Sequence, residues 1–113
     1  MPTSRAATRL EEAAPIFAAL GDATRLHLVV RLCEDGPLSI AQLTEGARMS
    51  RQAITKHLQA LAGAGLARSE RRGRESIWEL EAKRLAQVRR YLDRISRDWD
   101  DALERLRAFV ERE

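Results

Sequence analysis

The segment from Ala82 to Val110 contains neither glycine nor proline. Along it, Leu85, Val88, Leu92, Ile95, Trp99, Ala102, Leu106 and Phe109 follow one another at alternating spacings of 3 and 4 residues. That spacing is a heptad seam, which holds one apolar stripe on one side of a continuous helix. Leu103 and Val110 widen the stripe. A helix of this size rises about 1.5 Å per residue and reaches about 40 Å. A chain of 113 residues has too small a core to cover such a stripe from end to end. The surplus apolar surface therefore predicts a self-association face. Leu85, Val88, Leu92, Ile95, Trp99, Leu103 and Leu106 are the expected dimerisation residues, with Trp99 as anchor. Cutting the chain after Leu85 is expected to give monomers.

Length and composition fit a single globular domain over residues 1–113. Hydrophobic residues make up 44% and aromatics only 4%, so the core has to be aliphatic. No apolar run approaches the roughly 18 residues of a membrane span. The start of the chain has no apolar segment of the signal-peptide kind, and Cys33 is the one cysteine. A disulfide framework is thereby excluded, and a reducing cytoplasm is the expected setting.

Before the long helix the punctuation is dense. Residues 1–7 read as disordered. Thr8 with Glu11 has the form of a capping box, and Pro15 offers a second start for the first helix, which Gly21 ends after Ile16, Phe17 and Leu20 have turned inward. Asp22 caps a second helix, on which Leu26, Val29, Val30 and Cys33 form an inward stripe at helical spacing. "EDGP", residues 34–37, ends it. Ser39 and Gln42 make a capping box for a short third helix. Gly46 breaks the chain, Ser50 caps a fourth helix to about Ala62, and "GAGL", residues 63–66, stops that one. Two short strands follow, around "RGR". The expected fold is mainly α, a winged helix-turn-helix of order α-α-α-α-β-β-α. The helix-turn-helix lies at residues 39–62, the wing at 66–80 and the dimerisation helix at 82–110.

Charge marks one part of this order. The net charge of +3 hides a sharp partition: residues 1–46 carry −2, residues 47–74 carry +6 and residues 75–113 carry −1. The central block holds Arg48, Arg51, Lys56, Arg68, Arg71, Arg72 and Arg74 against Glu70 alone. Helical angles place Ile54, Leu58 and Leu61 of the fourth helix inward and Gln52, Thr55, Lys56 and Gln59 outward. Glutamine can pair bidentately with adenine, arginine or lysine with guanine, and threonine can offer a methyl to thymine. Ser50 sits where first-turn N–H groups attract phosphate. The wing arginines, Arg71, Arg72 and Arg74, suit phosphate or a narrow minor groove. An outward polar face is ordinarily only solvated; the conjunction of a capped helix-turn-helix, a hairpin and a local +6 argues for double-stranded DNA as partner.

The motifs "GDATR" (residues 21–25), S-x-x-x-I-T-K-H-L-x-x-L (50–61), "AGL" (64–66) and R-x-G-R (71–74) together resemble the bacterial ArsR/SmtB-type winged-helix repressors over residues 15–110. The resemblance implies a homodimer built on the first and last helices that represses from a partly palindromic operator. It carries Ser50, Arg51, Gln52, Thr55 and Lys56 over as recognition-helix positions, and Arg71, Arg72 and Arg74 as the wing. His57 carries over as a packed or phosphate-contacting residue rather than a pH sensor.

The chain departs from the metal-sensing members of that family. "GPLSIAQLTEG", residues 36–46, has no cysteine, and no histidine follows Leu80. Soft-metal sites need several Cys or His ligands. Cys33, His27 and His57 make a poor site, so no metal and no cofactor are expected. The inducer stays open. Two rival functions stand beside the repressor: an interaction module binding an acidic protein, and a thiol-responsive repressor using Cys33, whose inward position argues for a small buried hydrophobe. Nothing in the chain has the form of a phosphate-cradling loop or a nucleophile paired with a base, so no enzymatic activity is expected.

Overall fold

The computed structural model describes residues 5–112, with side chains from residue 11 onward. In order, the elements are α1 (Arg5–Leu20), α2 (Ala23–Asp35), β1 (Leu38–Ser39), α3 (Ile40–Thr44), α4 (Arg51–Gly63), β2 (Ala67–Arg72), β3 (Glu75–Leu80) and α5 (Ala82–Glu111). This is the expected winged helix-turn-helix with one addition. Leu38 and Ser39 pair with Trp78 and Ile77, making β1 the third strand of an antiparallel sheet of order β1-β3-β2. A two-residue strand carries no alternation, so no periodicity announces it. The pairing anchors the start of α3 to the wing.

Local signals set most helix ends. Ser39 Oγ accepts from the Gln42 N–H while the Gln42 side chain accepts from the Ser39 N–H, a complete capping box. The first helix begins at Arg5, upstream of both expected starts, so residues 5–7 are helical and Pro15 lies inside the helix. The Thr8 side chain and residues 1–4 lie outside the described part. The "GDATR" motif forms a joint. Asp22 caps α2 by accepting from the Arg25 N–H at 3.0 Å, and the Arg25 guanidinium turns back to donate to Ala18 O and Ala19 O at the end of α1.

The core collects Ile16 from α1, Leu28 and Leu32 from α2, Leu43 from α3, Ile54, Leu58 and Leu61 from α4, then Leu66, Trp78 and Val88. The α2 stripe is a correction. Leu28 and Leu32 are the buried pair, while Leu26 is 46% exposed, Val30 51% exposed, and Cys33 also faces solvent; Val29 packs at the margin. "RLHLVVRLC" carries two overlapping apolar stripes that share Val29. Contacts to other elements select between them. Arg25 reaches α1 from one turn before Leu28, and Arg31 Nη1 donates to Leu43 O at the end of α3 at 3.2 Å.

The long helix divides its seam between two environments. Val88 is buried in the chain's own core, with Leu85 and Tyr91 packed against it and Tyr91 edge-on to Phe17 of α1. Val88 and Leu85 therefore hold the helix to its own domain, and a cut after Leu85 would strip part of that core. Beyond Tyr91, Leu92, Ile95, Trp99, Leu103, Leu106, Phe109 and Val110 are all exposed, Trp99 at 65%. With 30 residues the helix is about 45 Å long. No single described helix is long and apolar enough to cross a membrane.

Candidate nucleic-acid interface

The fourth helix starts at a side-chain cap. Ser50 is extended (φ −70°, ψ 162°), and its Oγ accepts from the Ala53 N–H at 3.2 Å. Ile54, Leu58 and Leu61 are buried, so the helix is held along one face. Arg51, Gln52, Lys56 and Gln59 are exposed on the opposite side, with Thr55 half-buried among them. Thr55 Oγ1 donates to Arg51 O at 2.7 Å. Its hydroxyl proton is committed to the helix, leaving the oxygen lone pair and the methyl group as its recognition features.

These side chains border one groove of about 720 Å³. Its walls are Arg51, Gln52, Thr55, Lys56 and Gln59 from α4, Ser39 to Ala41 from the start of α3, and Arg74, Glu75 and Ser76 from the wing. Five of the expected DNA-contacting residues, Arg51, Gln52, Thr55, Lys56 and Arg74, thus come together. Ser50 serves as the cap beside it. Arg71 and Arg72 lie at the far end of β2, exposed and outside the groove wall. Ser39, Glu75 and Ser76 are additions that sequence reasoning missed. Their position follows from the β1–β3 pairing, which no local signal gives.

The wing turn is tight because Arg72 pairs directly with Glu75, leaving Gly73 and Arg74 between the strands. Gly73 has φ +63°, a value that glycine adopts without steric cost. The basic charge of this region is unevenly available. Arg68 is bound by Glu79 at 2.7 Å and Glu81 at 3.5 Å, and that pairing, chiefly the hydrogen bond to Glu79, raises its pKa further. Arg72 lies 3.6 Å from Glu70 in an exposed pair. Among the described residues, Arg51, Lys56, Arg71 and Arg74 have no carboxylate partner. The charge that can meet a polyanion is concentrated on the groove and the wing tip.

His57, on the flank of α4, is half-buried with its Nδ1 3.9 Å from Asp22 Oδ1. The Asp22 carboxyl is held below the ordinary carboxylate range, first by the Arg25 backbone N–H and less by Arg25 and His57 charge. His57 therefore packs against the α1–α2 joint instead of lining the groove. Among the described residues no group of three or more His, Cys, Asp or Glu side chains is arranged to hold a metal ion.

A family model described as a helix-turn-helix domain matches residues 20–70. An HTH-type transcriptional regulator of Mycobacterium tuberculosis is 36% identical over 87 residues, covering 77% of this chain and 78% of that protein. The arsenical resistance operon repressor of Bacillus subtilis is 33% identical over 64 residues, 57% of this chain and 61% of that protein. Among solved structures, an ArsR-like transcriptional regulator from Rhodococcus superposes with a TM-score of 0.78 at 36% identity, covering 91% of this chain and 94% of that one. The groove, the hairpin wing and these relationships converge: the chain belongs to the ArsR-like family of helix-turn-helix transcriptional regulators, with a winged DNA-binding domain.

Proposed function

We propose that the protein is a homodimeric repressor of its own operon that binds a partly palindromic operator and takes no metal signal. The observation that carries this is the groove itself, where α4 and the wing present Arg51, Gln52, Thr55, Lys56 and Arg74 together. In this reading the N-terminal half of α4 enters the major groove, where Gln52, Lys56 and Arg51 address base edges and Thr55 a thymine methyl. Ser50 and the first-turn amides meet phosphate. Arg71 and Arg72 follow the backbone, outside the groove wall. The exposed seam from Leu92 to Leu106 joins two copies and so matches two half-sites. The similarity to a named repressor supports negative regulation. Absence of a metal signal rests on the sparse donor set, one cysteine and two histidines, with His27 and Cys33 on α2 and His57 on α4.

The test is binding of the purified chain to the promoter of its own gene and to a random duplex of equal length, at several stated salt concentrations. Specific regulators of this kind bind their sites about 10³-fold or more tighter than random DNA. Equal affinity for both duplexes overturns the reading. The exposure of Cys33 favours a second reading, a thiol-responsive repressor. Under peroxide the wild type would then release operator and Cys33→Ser would retain it; identical release from both sinks that alternative.

A further inference from the structure

Just past the end of the recognition helix, Gly65 is covered by a charged side chain from α5. Gly65 has φ +76°, and a methyl group built on it would meet Arg84 Nε at 2.7 Å and Nη2 at 2.8 Å. The guanidinium thus occupies the space beside the Gly65 Cα, just past the end of α4, that only glycine leaves open. It is tethered there by its own helix, since Nη1 donates to Gln87 Oε1 at 2.9 Å. Among the described residues no carboxylate pairs with it. Its electrostatic counterpart is the C-terminal end of α4, where the helix dipole is negative. A second bond closes the same joint: the Glu81 N–H, at the start of α5, donates to Leu66 O at 2.8 Å, and the Leu66 N–H donates to Leu61 O at 2.9 Å inside α4. Leu66 is fully buried.

We infer that Arg84 is a positioning residue for DNA recognition: by clamping the end of α4 to the start of α5, it sets the recognition helix relative to the helix that carries the dimer seam. This rests on the DNA-binding dimer proposed above. In such a dimer the distance between the two recognition helices depends on how α4 is held to α5, and half-sites lie one helical turn of DNA apart. A loosened joint lets α4 tilt about its Leu58 and Leu61 anchors. Affinity for an operator with the right spacing then falls, while phosphate-driven binding to random DNA does not.

The experiment uses the full chain and an operator selected by the wild type from a random duplex pool. Arg84→Gln, Arg84→Lys and Gln87→Ala are compared on that operator, on the same operator with one base pair inserted between half-sites, and on random duplex. Dimer content and thermal midpoint are measured alongside. We expect Arg84→Gln to lose about 10-fold on the operator, about 1.4 kcal/mol, and less than about 2-fold on random DNA. The penalty for the inserted base pair should shrink in the same variant, and Arg84→Lys, which keeps the charge, should recover most of the affinity. Unchanged spacing discrimination, or equal losses on all three duplexes, overturns the inference. If Arg84→Gln does not fold, Gln87→Ala decides, with an expected loss of about 3-fold on the operator alone; wild-type discrimination in that variant then overturns it. A wild type that selects no duplex would refute the DNA-binding reading instead.

Discussion

His57 Nδ1 of the recognition helix lies 3.9 Å from Asp22 Oδ1, the cap of α2. One carboxylate therefore serves two elements: it closes the first turn of α2 through the Arg25 N–H and faces the flank of α4. Because that N–H, before any charge, lowers the Asp22 pKa, protonation should loosen both contacts.

The sign follows from linkage. A carboxyl with a depressed folded-state pKa adds stability that is fully present above its unfolded value, about 3.9, and is lost as pH falls through the folded value. Asp22→Asn keeps a good cap but cannot titrate. Its unfolding midpoint should match the wild type near neutral pH and decline less below about pH 4. Parallel curves for the two proteins down to acid pH would show that Asp22 contributes no such term.

Leu32→Ala should cost about 2–5 kcal/mol in denaturant unfolding, because it empties a fully packed site. Val30→Ala, on the exposed stripe, should cost less than about 1 kcal/mol under conditions where the chain is monomeric. The reverse order would return α2 to the orientation that its Leu26, Val30 and Cys33 spacing suggests.

Trp99→Glu puts a charge on the exposed seam without touching Val88 or Leu85. Interface anchors cost about 2–4 kcal/mol on truncation, so sedimentation should show a dimer weakened by about 30-fold or more with monomer stability unchanged. This is a cleaner probe than a cut after Leu85, which also removes Val88 and Tyr91 from the core. A fully dimeric Trp99→Glu at micromolar concentration would remove this stretch from the interface.

Gln52→Ala and Arg72→Ala should fail differently. Loss of a base-reading glutamine costs about 1–3 kcal/mol on the operator and changes the preferred base at one position. Loss of a phosphate contact weakens all duplexes alike and reduces the salt slope by about 1. Arg72 already has a weak exposed partner in Glu70, so its loss on DNA should be the smaller of the two. Base preference that is the same in both variants would refute the assignment of Gln52.

Features that act over three or four residues were legible in the sequence. The caps at Asp22, Ser39 and Ser50, the stop in "GAGL" at residues 63–66 and the hairpin turn at Gly73 follow from hydrogen bonds or sterics within one turn of chain, and the inward face of α4 and the length of α5 from apolar spacing that repeats turn by turn. The concentration of positive charge between Arg48 and Arg74 was equally plain. Tertiary structure decided what those rules leave degenerate. Of two overlapping stripes on α2 it buried Leu28 and Leu32 and left Cys33 outside, because Arg25 and Arg31 tie the helix to α1 and α3. It paired Leu38 with Trp78, spent Val88 on the chain's own core, neutralised Arg68 with Glu79, and laid Arg84 across Gly65. Each of these joins residues far apart in sequence, and packing between elements, which no local pattern encodes, selects among arrangements that the local signals satisfy equally well.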